Sequence, residues 1–176
     1  SLCEAIMDCE QLNYLNISGC MLGPSGTLTL SRTILTYHFG LSTLNLSCNN
    51  IGIQGAVHLA NGLKGNETLR RLDISSNELG LVGAKIVANG LVSNMGLREL
   101  IVNNNDLTDE GALEIGQAIS SQQIIRAFSC RDSSLSISGE VALILSLRSV
   151  PLEYLFIGMS DPLLNIIGGA FFQEFL

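Results

Sequence analysis

Residues 41–51 read LSTLNLSCNNI and residues 69–79 read LRRLDISSNEL. Laid over one another they share a leucine-class residue at positions 1, 4, 6 and 11 and an asparagine at position 9. The same pattern opens at Leu12, Leu41, Leu69, Leu97, Ile125 and Leu152, in steps of 29, 28, 28, 28 and 27 residues. Position 9 holds Cys20, Asn49, Asn77 and Asn105 in the first four blocks. A fixed period in the high twenties means one supersecondary unit stacked on copies of itself, each copy burying its neighbour's face.

One block states what the unit is. In residues 69–77, Leu72 and Ile74 alternate with Arg71, Asp73 and Ser75, a period of two that reads as a short strand. Asn77 then closes a turn, and its amide is suited to satisfy backbone groups that the bend leaves unpaired inside the stack. Beyond Gly80 and Gly83, residues Ala84, Val87, Ala88 and Leu91 fall at i, i+3, i+4 and i+7, one face of a helix. Gly55, Gly83, Gly111 and Gly139 each lie fourteen residues after their block's first residue, which predicts close approach of each helix start to the neighbouring repeat. Successive parallel strands need a crossover, here the helix, and such crossovers are right-handed. Strands stack about 4.8 Å apart while packed helices need roughly 8–10 Å. The mismatch bends the stack. The expected fold is an α/β right-handed solenoid, a horseshoe arc with a parallel β-sheet on its concave face and α-helices on its convex face.

The wording L-x-x-L-x-L-x-x-N-x-L-G-x-x-G-A-x-x-L-A-x-x-L, present in residues 41–63 and 69–91, resembles the ribonuclease-inhibitor-like class of leucine-rich repeats. That class includes the ribonuclease inhibitor, the sensor regions of NOD-like receptors and the activator of the Ran GTPase. The resemblance implies the fold and a protein-binding role. It implies no particular partner, because such relatives share architecture and differ in what they bind. The expected function is a cytoplasmic protein–protein interaction module or scaffold. The alternatives are a GTPase-activating role similar to the Ran activator and a structural subunit of a larger assembly.

Composition narrows the classes. Charged residues are only 14% of the chain against 47% hydrophobic, with a mean hydropathy of +0.38, so apolar surface awaiting a cover is expected. Net charge is −7 and no basic run exists to contact phosphates, which argues against nucleic acid. No apolar stretch approaches the 18 or so residues of a membrane helix. The five cysteines lack C-x-x-C spacing. Cys20 and Cys130 occupy repeat slots expected to bury small thiols, which fits a reducing compartment better than a disulfide frame or zinc site. Of the three N-x-S/T sequons, those at Asn16 and Asn45 arise from the repeat's own strand wording.

Residues 1–11 align with the later half of a repeat helix, so the whole chain reads as one solenoid beginning inside a repeat, a fragment of a longer array. The sixth block decays, with Ser160 at position 9 and Pro162 at position 11. The closing residues Phe171, Phe172, Phe175 and Leu176 are apolar where solenoid ends normally carry a polar cap, so self-association or neighbouring repeats are expected there.

Side chains at the outward strand positions line the concave face. One row runs Asn16, Asn45, Asp73, Ile101, Ser129, Phe156, and a flanking row runs Tyr14, Thr43, Arg71, Glu99, Ala127, Tyr154. The N-terminal half of this face is generic and polar. In the C-terminal half, Ile101, Arg131, Tyr154, Phe156 and Met159 put interface-type residues on a face that should be wet, and they form the expected partner-binding site. Cys20, Asn49, Asn77 and Asn105 are assigned a structural ladder. Arg70, Arg98 and Arg126 recur at position 2 as a column, with Glu99 and Glu153 expected to neutralise it. Asp106, Asp109, Glu110 and Glu114 cluster at a helix start, where the dipole favours them, without an EF-hand loop. His38 and His58 stand apart from any nucleophile, and residues 62–65 (GLKG) lack phosphate-loop spacing. No catalytic group, cofactor or metal is expected.

Overall fold

The computed structural model describes residues 9, 11–35, 40–158 and 167–168. Among these, every repeat supplies a three-residue strand: β1 (Tyr14–Asn16), β2 (Thr43–Asn45), β3 (Arg71–Asp73), β4 (Glu99–Ile101), β5 (Ala127–Ser129) and β6 (Tyr154–Phe156). The six are parallel and adjacent in sequence order. Five α-helices alternate with them: α1 (Gly23–Leu30), α2 (Gly52–Lys64), α3 (Gly80–Val92), α4 (Thr108–Gln122) and α5 (Ile137–Leu147). The result is the expected arc. Its core is a strip of leucine-class positions: Leu44, Leu72, Leu100, Phe128 and Leu155 from the strands, all buried, face Leu59, Val87, Ile115 and Leu143 from the helices. Ala84, Val87, Ala88 and Leu91 are all buried on α3, as their spacing predicts.

Unequal repeat lengths are absorbed in the helices. The first step is one residue longer than the three that follow, and α1 continues into a π-helical segment, Ser31–Leu35. A π turn holds one residue more than an α turn, so the insertion widens the helix and leaves the strand register intact. Thr27 Oγ1 and Thr29 Oγ1 also donate back to the carbonyls of Gly23 and Ser25, as hydroxyls in helices do. The fifth step is one residue short, and α5 has 11 residues. At the far edge, a two-residue strand β7 (Ile167–Gly168) pairs antiparallel with β6, where the repeat would place a helix. The decayed sixth block lacks the repeat's helical wording.

The glycines at repeat position 15 divide into two kinds. A Cβ at Gly111 would meet Ala84 of the preceding repeat at 2.9 Å, as predicted, but at Gly83 it would meet Leu79 of the same repeat at 2.9 Å. The closest approach to the backbone of a neighbouring helix sits elsewhere: a Cβ at Gly90 would lie 2.7 Å from the Ala60 Cα of α2.

Position 9 carries a ladder of hydrogen bonds from repeat to repeat. Asn77, fully buried, donates from Nδ2 to the carbonyls of Leu46, Ile74 and Ser75 at 2.9–3.0 Å. Its Oδ1 accepts from the Asn49 and Ile51 amides of the preceding repeat at 2.9 and 3.3 Å. Asn105 and Asn49 repeat the arrangement. In the fifth repeat the slot holds Ser133, buried, whose hydroxyl donates to the Arg131 carbonyl. Cys20 departs from expectation: its amide reaches Asn49 Oδ1 at 2.9 Å, but its thiol is exposed. Burial of this slot depends on the repeat before it, and Cys20 stands at the open end of the described ladder. Cys130 is buried as expected, and burial pushes its thiol up to about 12.

A second ladder, absent from the sequence reading, ties each helix end to the next strand. Asn66 Nδ2 donates to the Leu35 carbonyl at 2.8 Å, and Asn94 Nδ2 to those of Leu63 and Asn66 at 2.7 and 2.8 Å. Their Oδ1 atoms accept from the Leu69 and Leu97 amides at 2.8 Å. Gln122 Nε2 continues the series to the Leu91 carbonyl. The Asn66 sequon is thus a buried structural amide.

Candidate functional site

The strand register aligns both outward rows. Asn16, Asn45, Asp73, Ile101, Ser129 and Phe156 pair side by side, as do Tyr14, Thr43, Arg71, Glu99, Ala127 and Tyr154. In the first three repeats the row is polar and self-satisfied, with Asn16, Asn45 and Asp73 each accepting from the amide two residues on. Such side chains close their own turn and leave little to recognise.

The C-terminal half differs. Arg131, projecting from the turn after β5, lays its guanidinium over the Phe156 ring with Cζ 4.6 Å from the ring centre. The rings of Phe156 and Tyr154 lie parallel within 1°, with centroids 6.4 Å apart. Tyr154 is 55% exposed. The backbone beneath is held by Asn103, whose Oδ1 accepts from the Arg131 amide at 2.8 Å and from the Ser129 hydroxyl at 2.7 Å. Arg131 Nε is shielded from solvent and has no hydrogen-bond partner. Ile101, Asn103, Ser129, Arg131 and Phe156 line an open depression of about 230 Å³, with Arg71 and Glu99 at its margin. Cation–π stacking fixes the arginine over the ring before any partner arrives, which lowers the entropy cost of binding. Four of the five residues singled out from sequence are thus placed on this face, and Arg131, Phe156 and Ile101 come together there. Met159 lies outside the described residues. Asn103 was not singled out, because asparagine in a turn reads as turn chemistry until its partners are known.

The other candidates resolve differently. Glu99 does not neutralise the arginine column. Its Oε2 pairs with Arg71 Nη1 at 2.7 Å, because the register sets position 3 beside position 3 of the next strand. Glu153 has no ion pair among the described residues. In the acidic cluster, Asp109 accepts from the Ser136 amide and hydroxyl at 2.7 and 2.5 Å, and these bonds hold its carboxyl below the usual range. Glu110 pairs with Lys85 at 2.5 Å, and Asp106 accepts from Ser134 at 2.8 Å. These carboxylates join neighbouring repeats. His58 sits on α2, away from the concave face, and His38 lies outside the described residues. No group of acidic, histidine or cysteine side chains among the described residues could hold a metal ion, and no helix there is long and apolar enough to cross a membrane.

Residues 41–60, 65–88 and 93–116 match a family model described as Leucine Rich repeat. Comparison with curated proteins returns no match. Among solved structures, the fold is similar to the tropomodulin C-terminal domain of Caenorhabditis elegans, at 14% identity and a TM-score of 0.58, over 92% of this chain and 84% of that one. It is similar also to leiomodin-1 actin-binding site 2, at 14% identity and a TM-score of 0.68, over 84% of this chain and 88% of that one. Identities this low speak for the fold. The chain carries leucine-rich repeats folded as an α/β arc, with strands on its inner face and helices outside.

Proposed function

We propose that this is a non-catalytic, cytoplasmic protein-interaction module that grips a protein partner on the C-terminal half of its concave face, through Ile101, Arg131, Tyr154 and Phe156. Met159 is assigned to the same surface by its place in the sequence. The observation that carries the reading is the Arg131–Phe156–Tyr154 stack on a face that is polar elsewhere. Aromatic side chains anchor interfaces because they bury large areas while freezing few torsions, and here the arginine is already held against one of the rings. A photo-crosslinking residue installed at Ile101 tests it, against the same residue at exposed Asn61 on α2. A partner joined from Ile101 and not from Asn61 supports the reading, and equal or reversed cross-linking overturns it.

One of the similar structures is an actin-binding site of leiomodin-1, which makes actin the first purified partner to assay. A saturable complex that Phe156→Ala weakens would identify the partner. A GTPase-activating role, as in the Ran activator, predicts faster GTP hydrolysis by a small GTPase on adding this protein. A structural role predicts a stable oligomer whose interface contains the apolar ends.

A further inference from the structure

The arginine column at repeat position 2 is unneutralised in an acidic protein. Arg70, Arg98 and Arg126 directly precede β3, β4 and β5 at the N-terminal edge of the sheet, one strand spacing of about 4.8 Å apart. None has a carboxylate partner among the described residues. Each uses Nη1 to hold return-loop carbonyls, and Arg70 reaches into the loop of the next repeat as well. Arg70 donates to the carbonyls of Glu67 and Gly96 at 2.5 and 2.8 Å, and Arg98 to those of Gly96 and Leu97 at 3.0 and 3.1 Å. Arg126 donates to those of Gln123 and Ile125 at 2.9 and 3.1 Å. These bonds pin the planar groups. For Arg98 and Arg126 they leave Nε and Nη2 unbonded and open to solvent. That pair of N–H groups is the fork that binds a carboxylate side-on with two parallel hydrogen bonds. Desolvation, and after it the like charges of Arg70 and Arg126, lower the pKa of Arg98, and an anion beside the column would relieve that repulsion.

We infer that this column receives an acidic polypeptide segment, two or three carboxylates spread over about 10 Å. Three observations favour a peptide over other anions. Arg98 and Arg126 line an open depression of about 320 Å³ whose far side is Ala127, Tyr154 and Phe156, so an apolar side chain fits beside the carboxylates. Arg71, Glu99 and Glu153 border the same depression, and the two glutamates repel a dense polyphosphate. The net charge of −7 likewise opposes an extended polyanion, such as nucleic acid or an anionic membrane, while a short segment meets only the local arginines. Tyr154 and Phe156 of the concave stack form one wall of this depression, and the variants tested leave both unchanged.

The test is fluorescence anisotropy of the 176-residue protein with a labelled twelve-residue peptide that carries three acidic residues, Glu and Asp, in an otherwise neutral sequence around one central Phe, at low salt. The same peptide with Gln and Asn, inorganic phosphate, and a short DNA duplex serve as comparators. The acidic peptide is expected to bind, the amide peptide not to bind, and 0.5 M salt to abolish the complex. Arg98→Gln and Arg126→Gln should each weaken binding about fivefold, the double variant should lose it, and Arg148→Gln on exposed surface should change nothing. Arg98 also supports its loop, so circular dichroism accompanies each variant. Arg98→Lys, which keeps the charge and loses the fork, should bind more weakly than the native protein even where Arg98→Gln fails to fold. Native-strength binding by the column variants overturns the inference, as does an equal loss with Arg148→Gln. So does preferential binding of phosphate or DNA, or no acidic-peptide binding by the folded native protein.

Discussion

Replacing Asn77 with alanine removes five hydrogen bonds, but the damage is smaller and more localised than that number suggests. The three carbonyls it serves keep other donors: Leu46 keeps Asn49 Nδ2, Ile74 keeps Asn105 Nδ2, and Ser75 keeps the Cys48 amide. The loss falls on the amides of Asn49 and Ile51, which are buried and have no substitute. A buried unpaired amide costs about 1–3 kcal/mol. The bond to Ile51 is long at 3.3 Å and counts for less, so the expected cost is about 2–4 kcal/mol. In a domain of this size that lowers the melting temperature by roughly 6–12 °C. Asn105→Ala orphans the amides of Asn77 and Leu79 and should cost as much. Asn49→Ala frees the Ile17 carbonyl and the amides of Cys20 and Leu22, whose bonds are only partly buried, so water can stand in at the two amides and the change should cost about 1 kcal/mol. Urea denaturation followed by circular dichroism gives the ranking, and hydrogen exchange locates the loss. Equal costs for Asn49→Ala and Asn77→Ala would refute the reasoning, as would unchanged exchange at the Asn49 and Ile51 amides in Asn77→Ala.

Thr108 occupies the slot held by Gly52 and Gly80 in other repeats, with φ of 62°, so Thr108→Gly should stabilise by about 1 kcal/mol in the same denaturation assay. Gly90→Ala should destabilise by about 1–3 kcal/mol, because the new methyl meets α2 backbone that cannot swing aside. Alkylation at pH 8 with mass-spectrometric mapping should label Cys20 and Cys48 in the folded protein and Cys130 only after unfolding, since its thiol titrates near 12. The folded-state pKa of Asp109 is depressed, so its contribution to stability is present above the unfolded aspartate value and lost as pH falls through the folded one. The Asp109→Asn variant should therefore show a flatter acid limb in a plot of melting temperature against pH.

The periodic part of the fold was legible because identical slots repeat: the strand leucines, the helix faces and the position 9 ladder all follow from spacing. What the sequence missed depends on neighbours. Cys20 shares a slot with buried asparagines but stands at the open end of the described stack. The Asn66–Asn94–Gln122 ladder mixes two residue types at the helix end and the return loop after it, where polar residues read as solvent-facing. The partner of Glu99 was misread because the arginines at positions 2 and 3 both lay within its reach, and only the register chose Arg71. In the candidate site the outward rows were readable. The stacking of Arg131 on Phe156 was not, because it joins a turn to the next strand and exists only once β5 and β6 are paired.

Protein binding by the C-terminal half of the concave face is tested by comparing two double variants as affinity baits. Tyr154→Ala/Phe156→Ala removes the stack, and Asn45→Ala/Ser47→Ala alters the generic half. Quantitative mass spectrometry of captured proteins, with melting curves for each bait, should show at least one partner held by the native protein and the second variant. The first variant should lose that partner by about thirtyfold or more, the factor of a hot spot worth about 2 kcal/mol. Equal capture by the two variants would contradict the account, as would a Tyr154→Ala/Phe156→Ala variant that melts earlier yet keeps its partner.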